Sequence, residues 1–166
     1  MVMQTPRLKT PYIISTQSQK EVTHNLALNR LDALVQSAAE TAILSTPPVS
    51  PFEGGLWIVA AAATGAWATH DNELAQYIGG AWQFYVPFEG MTIWLKDENL
   101  HMQYRAGLWA KGLVTASKIE ISGLQIVGPQ QLAIAGPLGG VTIDAEARAA
   151  LNSLLAACRI HGLIAP

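Results

Sequence analysis

The sequence predicts an α+β fold, mainly β: a small antiparallel meander of short strands flanked by an N-terminal amphipathic helix and a C-terminal helix. Three observations predict it. From Gln19 to about Ala39 the apolar residues Val22, Leu28, Leu31, Leu34, Val35 and Ala38 recur at helical spacing. From Gly54 to Val127 the chain breaks into short alternating runs separated by glycine turns. Beyond Asp144, the residues Ala147, Leu151, Leu154 and Cys158 fall at spacings of four, three and four, a seam suited to a short coiled coil or to docking on a sheet. Three regions follow: 1–46, an arm plus helix for anchoring and oligomerisation; 47–128, a β domain with Gly-x-Trp hairpins; 129–166, a loop plus the C-terminal helix.

Residues 1–17 read as an extended arm. Pro6 and Pro11 disfavour helix at the residues before them, and the polar "STQSQ" follows. Such an arm is expected to be ordered only by contact with another chain. "SQKE" offers a capping box, with Ser18 as N-cap and Glu21 as its partner. The double proline of "STPPVSP" ends the helical region. "LWIVA" reads as a short buried strand and "GAWATHDNE" as a turn-rich connection. "AWQFYV" places Trp82, Phe84 and Val86 on one face and Ala81, Gln83 and Tyr85 on the other; "MTIWLK", "LHMQY", "GLWAKGLV" and "SKIEISGLQIV" continue the meander. Asp144 is the expected N-cap of the last helix, Glu146 complements its dipole, and Gly162 is its C-cap.

A Tyr-x-x-Gly-x-Trp pattern occurs twice, as Tyr77, Gly80, Trp82 and as Tyr104, Gly107, Trp109. In a hairpin the glycine falls in the turn, where positive φ is cheap, and the two aromatics face each other across the strands. That cross-strand pair is worth roughly 0.2–1 kcal/mol and explains the spacing without a ligand. The shorter Gly-x-Trp tripeptide occurs four times, ending at Trp57, Trp67, Trp82 and Trp109. The competing reading is a surface that stacks on sugar rings, whose C–H faces are apolar. Its candidates are Trp82, Tyr85, Tyr104 and Trp109.

Composition narrows the function classes. Half of the 166 residues are hydrophobic and 13% are charged, about half the typical ~25% of soluble domains. A small domain with so little charge is expected to bury apolar surface against other subunits. The ten Lys and Arg are scattered, so no nucleic-acid footprint forms. The longest apolar run, "LWIVAAAA", is far short of the ~20 residues that span a bilayer, and "MVMQTPRLKTPY" lacks an export signal's apolar core. The single cysteine, Cys158, gives no disulfide framework or cysteine-rich zinc site.

No catalytic motif emerges. His24, His70, His101 and His161 lie far apart, and "HDNE" (His70–Glu73) reads as a solvated polar loop. Asp97 and Glu98 read as a hairpin turn. His24, Asn25 and Asp32 read as surface or subunit-contact groups of the first helix. No cofactor, metal or catalytic residue is expected.

Two ordered sets of residues carry a resemblance. The first is "PYIISTQSQKEVTHNLALNRLDALVQ", with Gln17, Lys20, Thr23, Asn25, Leu31, Asp32, Ala33 and Leu34. The second runs over residues 47–99, with Pro48, Gly54, Ile58, Val59, Gly65, Trp67, Gly80, Trp82, Pro87, Gly90 and Trp94. Together with the tail "LQIVGPQQLAIAGPLGGVTIDAEARAALNSLLAACRIHGLI", they resemble a phage-associated family of largely unknown function found in tail-fibre-like proteins and in head-spike proteins of gene transfer agents. Two departures stand out: the stretch between the middle block and the tail is short, and "GPLGG" replaces more acidic, Ala-rich wording. The resemblance implies a virion structural protein rather than an enzyme: a fibre, spike or head-decoration subunit, made in the host cytoplasm and resident in the particle. It implies self-association, a homotrimer by analogy with fibres and spikes, and docking on other virion proteins through the N-terminal arm and helix. The alternative is a carbohydrate-binding module recognising a host surface polysaccharide through exposed aromatics.

Overall fold

The computed structural model describes residues 4–13, 20–142 and 144–166. The chain divides into two compact units, Met1–Leu113 and Val114–Pro166. The architecture is mainly-β α+β with a helix near each end.

The first unit opens with helix α1 (Lys20–Leu34), followed by a two-residue strand β1 (Ala38–Ala39) and strand β2 (Leu56–Ile58). A 3₁₀ turn at Gly65–Trp67 precedes β3 (Leu74–Ile78), β4 (Ala81–Tyr85), β5 (Thr92–Leu95), β6 (Leu100–Arg105) and β7 (Leu108–Lys111). Strands β2-β3-β4 form one antiparallel sheet, and β1-β5-β6-β7 form a second. The meander has one exception: β1 runs parallel to β5, Ala38 opposite Trp94 and Ala39 opposite Leu95. The segment after β1 then turns to β2, through Glu40 N–H to the Leu56 carbonyl (2.8 Å) and Ile58 N–H to the Thr41 carbonyl (3.1 Å). One stretch of chain therefore ties the two sheets together.

Strand alternation sorts the apolar residues into two clusters. Leu56, Ile58, Leu74 and Tyr85 from the first sheet meet Ile93, Leu95 and Met102 from the second, with Met91 just before β5 and Ala33 of α1 alongside. The opposite face of the first sheet carries Trp57, Val59 and Ala75, which pack with Trp67, Tyr77, Trp82 and Phe84. The three-stranded sheet is thus covered on both faces, which is why β2 reads as a continuous apolar run rather than an alternating one.

Two expectations about the N-terminal region are corrected. Helix α1 ends at Leu34 rather than near Ala39, because Gln36 takes a positive φ of 47° and Ala38–Ala39 join the sheet instead. Its amphipathic reading also fails. Asp32 is fully buried while Val22, Leu26 and Leu31 are exposed. The cause is the arm, which is not an extended segment awaiting another chain. Residues 4–13 fold back on the helix of their own chain: Gln4 bridges Pro11, and Thr5 N–H bonds the Thr10 carbonyl at 2.9 Å. The Asp32 carboxylate accepts both the Arg7 N–H (3.1 Å) and the Leu8 N–H. The Arg7 guanidinium in turn donates to the carbonyls of Asp32, Ala33, Val35 and Gln36, acceptors that a helix C-terminus leaves unpaired. Asn25 holds Ile13 through both its N–H and its carbonyl, and Asn29 accepts from the Tyr12 hydroxyl. Asn25 and Asp32 are therefore tethers within the chain. Pro6 lies so close to Gly54 that a Cβ there would sit 2.4 Å from the Pro6 Cβ, so only glycine fits. Ser18, the expected cap, and residues 14–17 of the arm lie outside the described residues.

The second unit is a hairpin, β8 (Ile119–Ile121) and β9 (Leu124–Val127), then a loop and helix α2 (Ala145–Ile160). "SKIEISGLQIV" forms two strands around a Ser122–Gly123 turn. Asp144 caps α2 by accepting the Ala147 N–H at 2.8 Å, and Gly162 takes the positive φ of 70° expected past a helix end. Gln131 pairs with Ile164, tying the loop to the chain after α2. Ile164 is the one buried side chain of this unit among the described residues.

Candidate functional site

The two aromatic repeats are hairpins. Gly80 and Gly107 occupy turns with φ of 79° and 82°. Tyr77 stands opposite Trp82 and Tyr104 opposite Trp109, with ring centroids 5.1 and 5.2 Å apart at steep angles. Such edge-to-face geometry suits aromatic quadrupoles. Three of the four Gly-x-Trp tryptophans converge: Trp67 and Trp82 are 5.1 Å apart, Trp57 and Trp82 5.4 Å, and Trp57 and Trp67 6.4 Å. Trp67 is fully buried at their centre.

The four stacking candidates do not form one surface. Trp82 sits half-buried in the indole cluster on one face of the first sheet. Tyr85 lies on the opposite face, in the main core, its hydroxyl donating to Gln76 Oε1 at 2.9 Å. A buried ring with an engaged hydroxyl has no face to offer a sugar. Tyr104 and Trp109 belong to the core-facing side of the second sheet, since they share it with Met102. The Trp109 indole N–H donates to the Asn72 carbonyl at 2.8 Å. The Trp109 side chain borders an open groove of about 320 Å³, shared with Ile43, Asn72, Leu108 and Lys111.

Trp94 was not among those candidates, yet of the five tryptophans it alone packs in neither core cluster. It is half-buried on the outer face of the second sheet, opposite His101, with ring centroids 4.9 Å apart. The signal was present in "TIWL". Ile93 and Leu95 are the aliphatic pair and take the core, which sends Trp94 outward.

Polar groups elsewhere hold structure. His70 stacks on Phe84 at 3.5 Å with rings parallel and pairs with Glu73 at 2.8 Å. Asp71 accepts the N–H groups of Ala62 and Ala63. Glu98, in the β5–β6 turn, pairs with Lys111 at the end of β7. Among the described residues, no three His, Cys, Asp or Glu side chains cluster so as to hold a metal ion, and no helix is long and apolar enough to cross a membrane.

Burial, reinforced by the nearby Asp32 carboxylate, pushes the Tyr85 hydroxyl from 10.0 up to about 12. The folded chain keeps a proton that the unfolded chain loses above pH 10. The resulting stabilisation is complete below pH 10 and disappears as pH rises towards 12. Burial raises the Tyr12 hydroxyl as well, so alkaline titration followed at 295 nm and by circular dichroism should show two tyrosines ionising late, the later of them, Tyr85, together with unfolding. Tyr85→Phe should remove that later ionisation; its persistence in the variant would refute the assignment.

A family profile described as a protein of unknown function, DUF2793, matches residues 24–110. Among curated proteins, nothing matches the chain.

Proposed function

This chain belongs to the DUF2793 family of proteins of unknown function, and from that premise we propose that it is a structural subunit of a phage or phage-like particle. It works as a homo-oligomer, a trimer in the simplest case, forming part of a fibre, spike or head decoration. It is made in the host cytoplasm and resides in the virion. Its role is architectural rather than catalytic. The resemblance of residues 11–36, 47–99 and the tail to fibre-like and head-spike proteins supplies the particle context.

The observation that carries the reading is the uncovered apolar surface of the C-terminal unit. Ile119, Ile121, Leu124 and Ile126 of its hairpin are all exposed, as are Leu151 and Leu154 of α2. Such a surface on so small a unit favours association with other chains. Leu151 and Leu154 belong to the seam that also contains Ala147 and Cys158, a spacing suited to helix pairing about an axis. On the N-terminal side, Val22, Leu26 and Leu31 remain exposed on α1 and are available for docking on other virion proteins.

Light scattering of the full chain should give the mass of a trimer, and Leu154→Asp should lower it to that of a monomer. A wild-type chain that stays monomeric at micromolar concentration would count decisively against self-association. The particle assignment is tested separately, by immunogold labelling and mass spectrometry of particles purified from the producing cells. Particles that lack the chain would sink it.

A further inference from the structure

We infer that the outer face of the second sheet, centred on Trp94, is a binding site for an uncharged sugar ring. The strand register places Thr92 opposite Gln103 and Trp94 opposite His101, so these four side chains form one contiguous block on the face turned away from Ile93 and Met102. Trp94 lies in this block half-buried, outside both core clusters, and its indole N–H has no hydrogen-bond partner among the described residues. On its other side the neighbour is Ala38 of β1, whose methyl group leaves room beside the ring. An indole that contributes to no core and is kept half-open on a flat sheet supplies a rigid apolar platform.

The polar groups around it point to the ligand class. Among the described residues, the Gln103 and His101 side chains make no hydrogen bond, and the Thr92 hydroxyl has only a long 3.4 Å contact to the Gly90 carbonyl. Each supplies donors or acceptors at the rim of the indole. No carboxylate stands in the block. The charges nearest the block on this face stand at its edges: Lys96, just past β5, is paired with Glu40, and Arg105 lies two residues beyond Gln103 on β6. A flat apolar platform ringed by neutral hydrogen-bonding groups matches a pyranose, which has an apolar C–H face and a hydroxyl rim. It matches neither an anion nor an extended hydrophobic peptide. The site requires only the N-terminal unit and stands independently of the assembly reading.

The full chain should be titrated with cellohexaose, laminarihexaose, maltohexaose and chitohexaose, and with an alginate hexasaccharide as the acidic comparison. The readouts are calorimetry and the ¹H–¹⁵N resonances of the five indoles. At least one neutral oligosaccharide should bind saturably and shift the Trp94 indole signal most. Trp94→Ala should weaken that binding at least about tenfold, the equivalent of about 1.4 kcal/mol, with the oligomeric mass unchanged. Gln103→Ala should weaken it by about threefold or more, and it decides the matter if Trp94→Ala lowers the melting temperature. Four results would overturn the site: no saturable binding of any neutral oligosaccharide, tighter binding of the acidic one, binding indifferent to both substitutions, or a change of oligomeric mass in Trp94→Ala, which would make the face a subunit contact. The Leu154→Asp chain should keep the same sugar affinity per subunit, so failure of the site and failure of the assembly reading are separable.

Discussion

Trp67→Ala is expected to destabilise the protein by about 3–5 kcal/mol, the usual range for emptying a large buried aromatic site. Trp67 is fully buried, and its loss removes the ring against which Trp57 and Trp82 pack. The surrounding groups are poorly placed to close the gap. Trp57 is fixed in β2, and its ring folds back over Gly55, where a Cβ would lie 2.4 Å from the indole. Trp82 is held in the β3–β4 hairpin. Trp67→Phe should recover a large part of the loss, because the aromatic contacts survive in reduced form. Chemical denaturation with fluorescence detection measures both variants. A loss of under about 1 kcal/mol for the alanine variant would show that the indole cluster is not a packing unit, since single surface changes fall in that range.

Asp32→Ala should act on a different part of the molecule with comparable force. It strips the Arg7 and Leu8 N–H groups of their acceptor. Both bonds run to a charged acceptor but are only part-buried, so each is worth about 1–2 kcal/mol and the total is about 2–4 kcal/mol. The Arg7 guanidinium then loses the backbone position from which it reaches the end of α1. Limited proteolysis should separate this from a general loss of stability. In Asp32→Ala, residues 4–13 should be trimmed before the β region is cut, whereas in the wild-type chain arm and core should resist together. Asp32→Asn, which keeps one carbonyl acceptor, should fall between the two. An arm equally resistant in Asp32→Ala and wild type would show that its anchorage lies elsewhere.

Legibility in the sequence followed the physics of each element. The hairpins were readable because glycine at a positive-φ turn and a cross-strand aromatic pair are local features, fixed by residues a few positions apart. The cap of α2 was readable for the same reason. The arm was not, because proline excludes helix without saying what the chain packs on. What decides it is a buried aspartate twenty-five positions away, a residue that looks like surface in any helical projection. The parallel β1–β5 pair was hidden likewise: two alanines carry no strand signal of their own. For the candidate site, the repeat drew attention to the tryptophans that the hairpins use internally. Trp94, which lies outside the repeat, is the one the cores leave over.

The parallel pairing of Ala38–Ala39 with Trp94–Leu95 also bears on how the chain reaches this fold. The β3–β4, β5–β6 and β6–β7 hairpins close short loops and are entropically cheap to form early. The β1–β5 contact closes a loop spanning about half of the first unit, so it is expected after them. During synthesis the arm and α1 leave the ribosome first, yet the strand that follows them has no partner until residues 92–95 emerge. Until then Ala38–Ala39 present unpaired backbone groups, and the segment that joins the two sheets has only one to join. The N-terminal region is therefore the first part made and among the last parts fastened, and the growing chain spends that interval with its future core open on the β5 side.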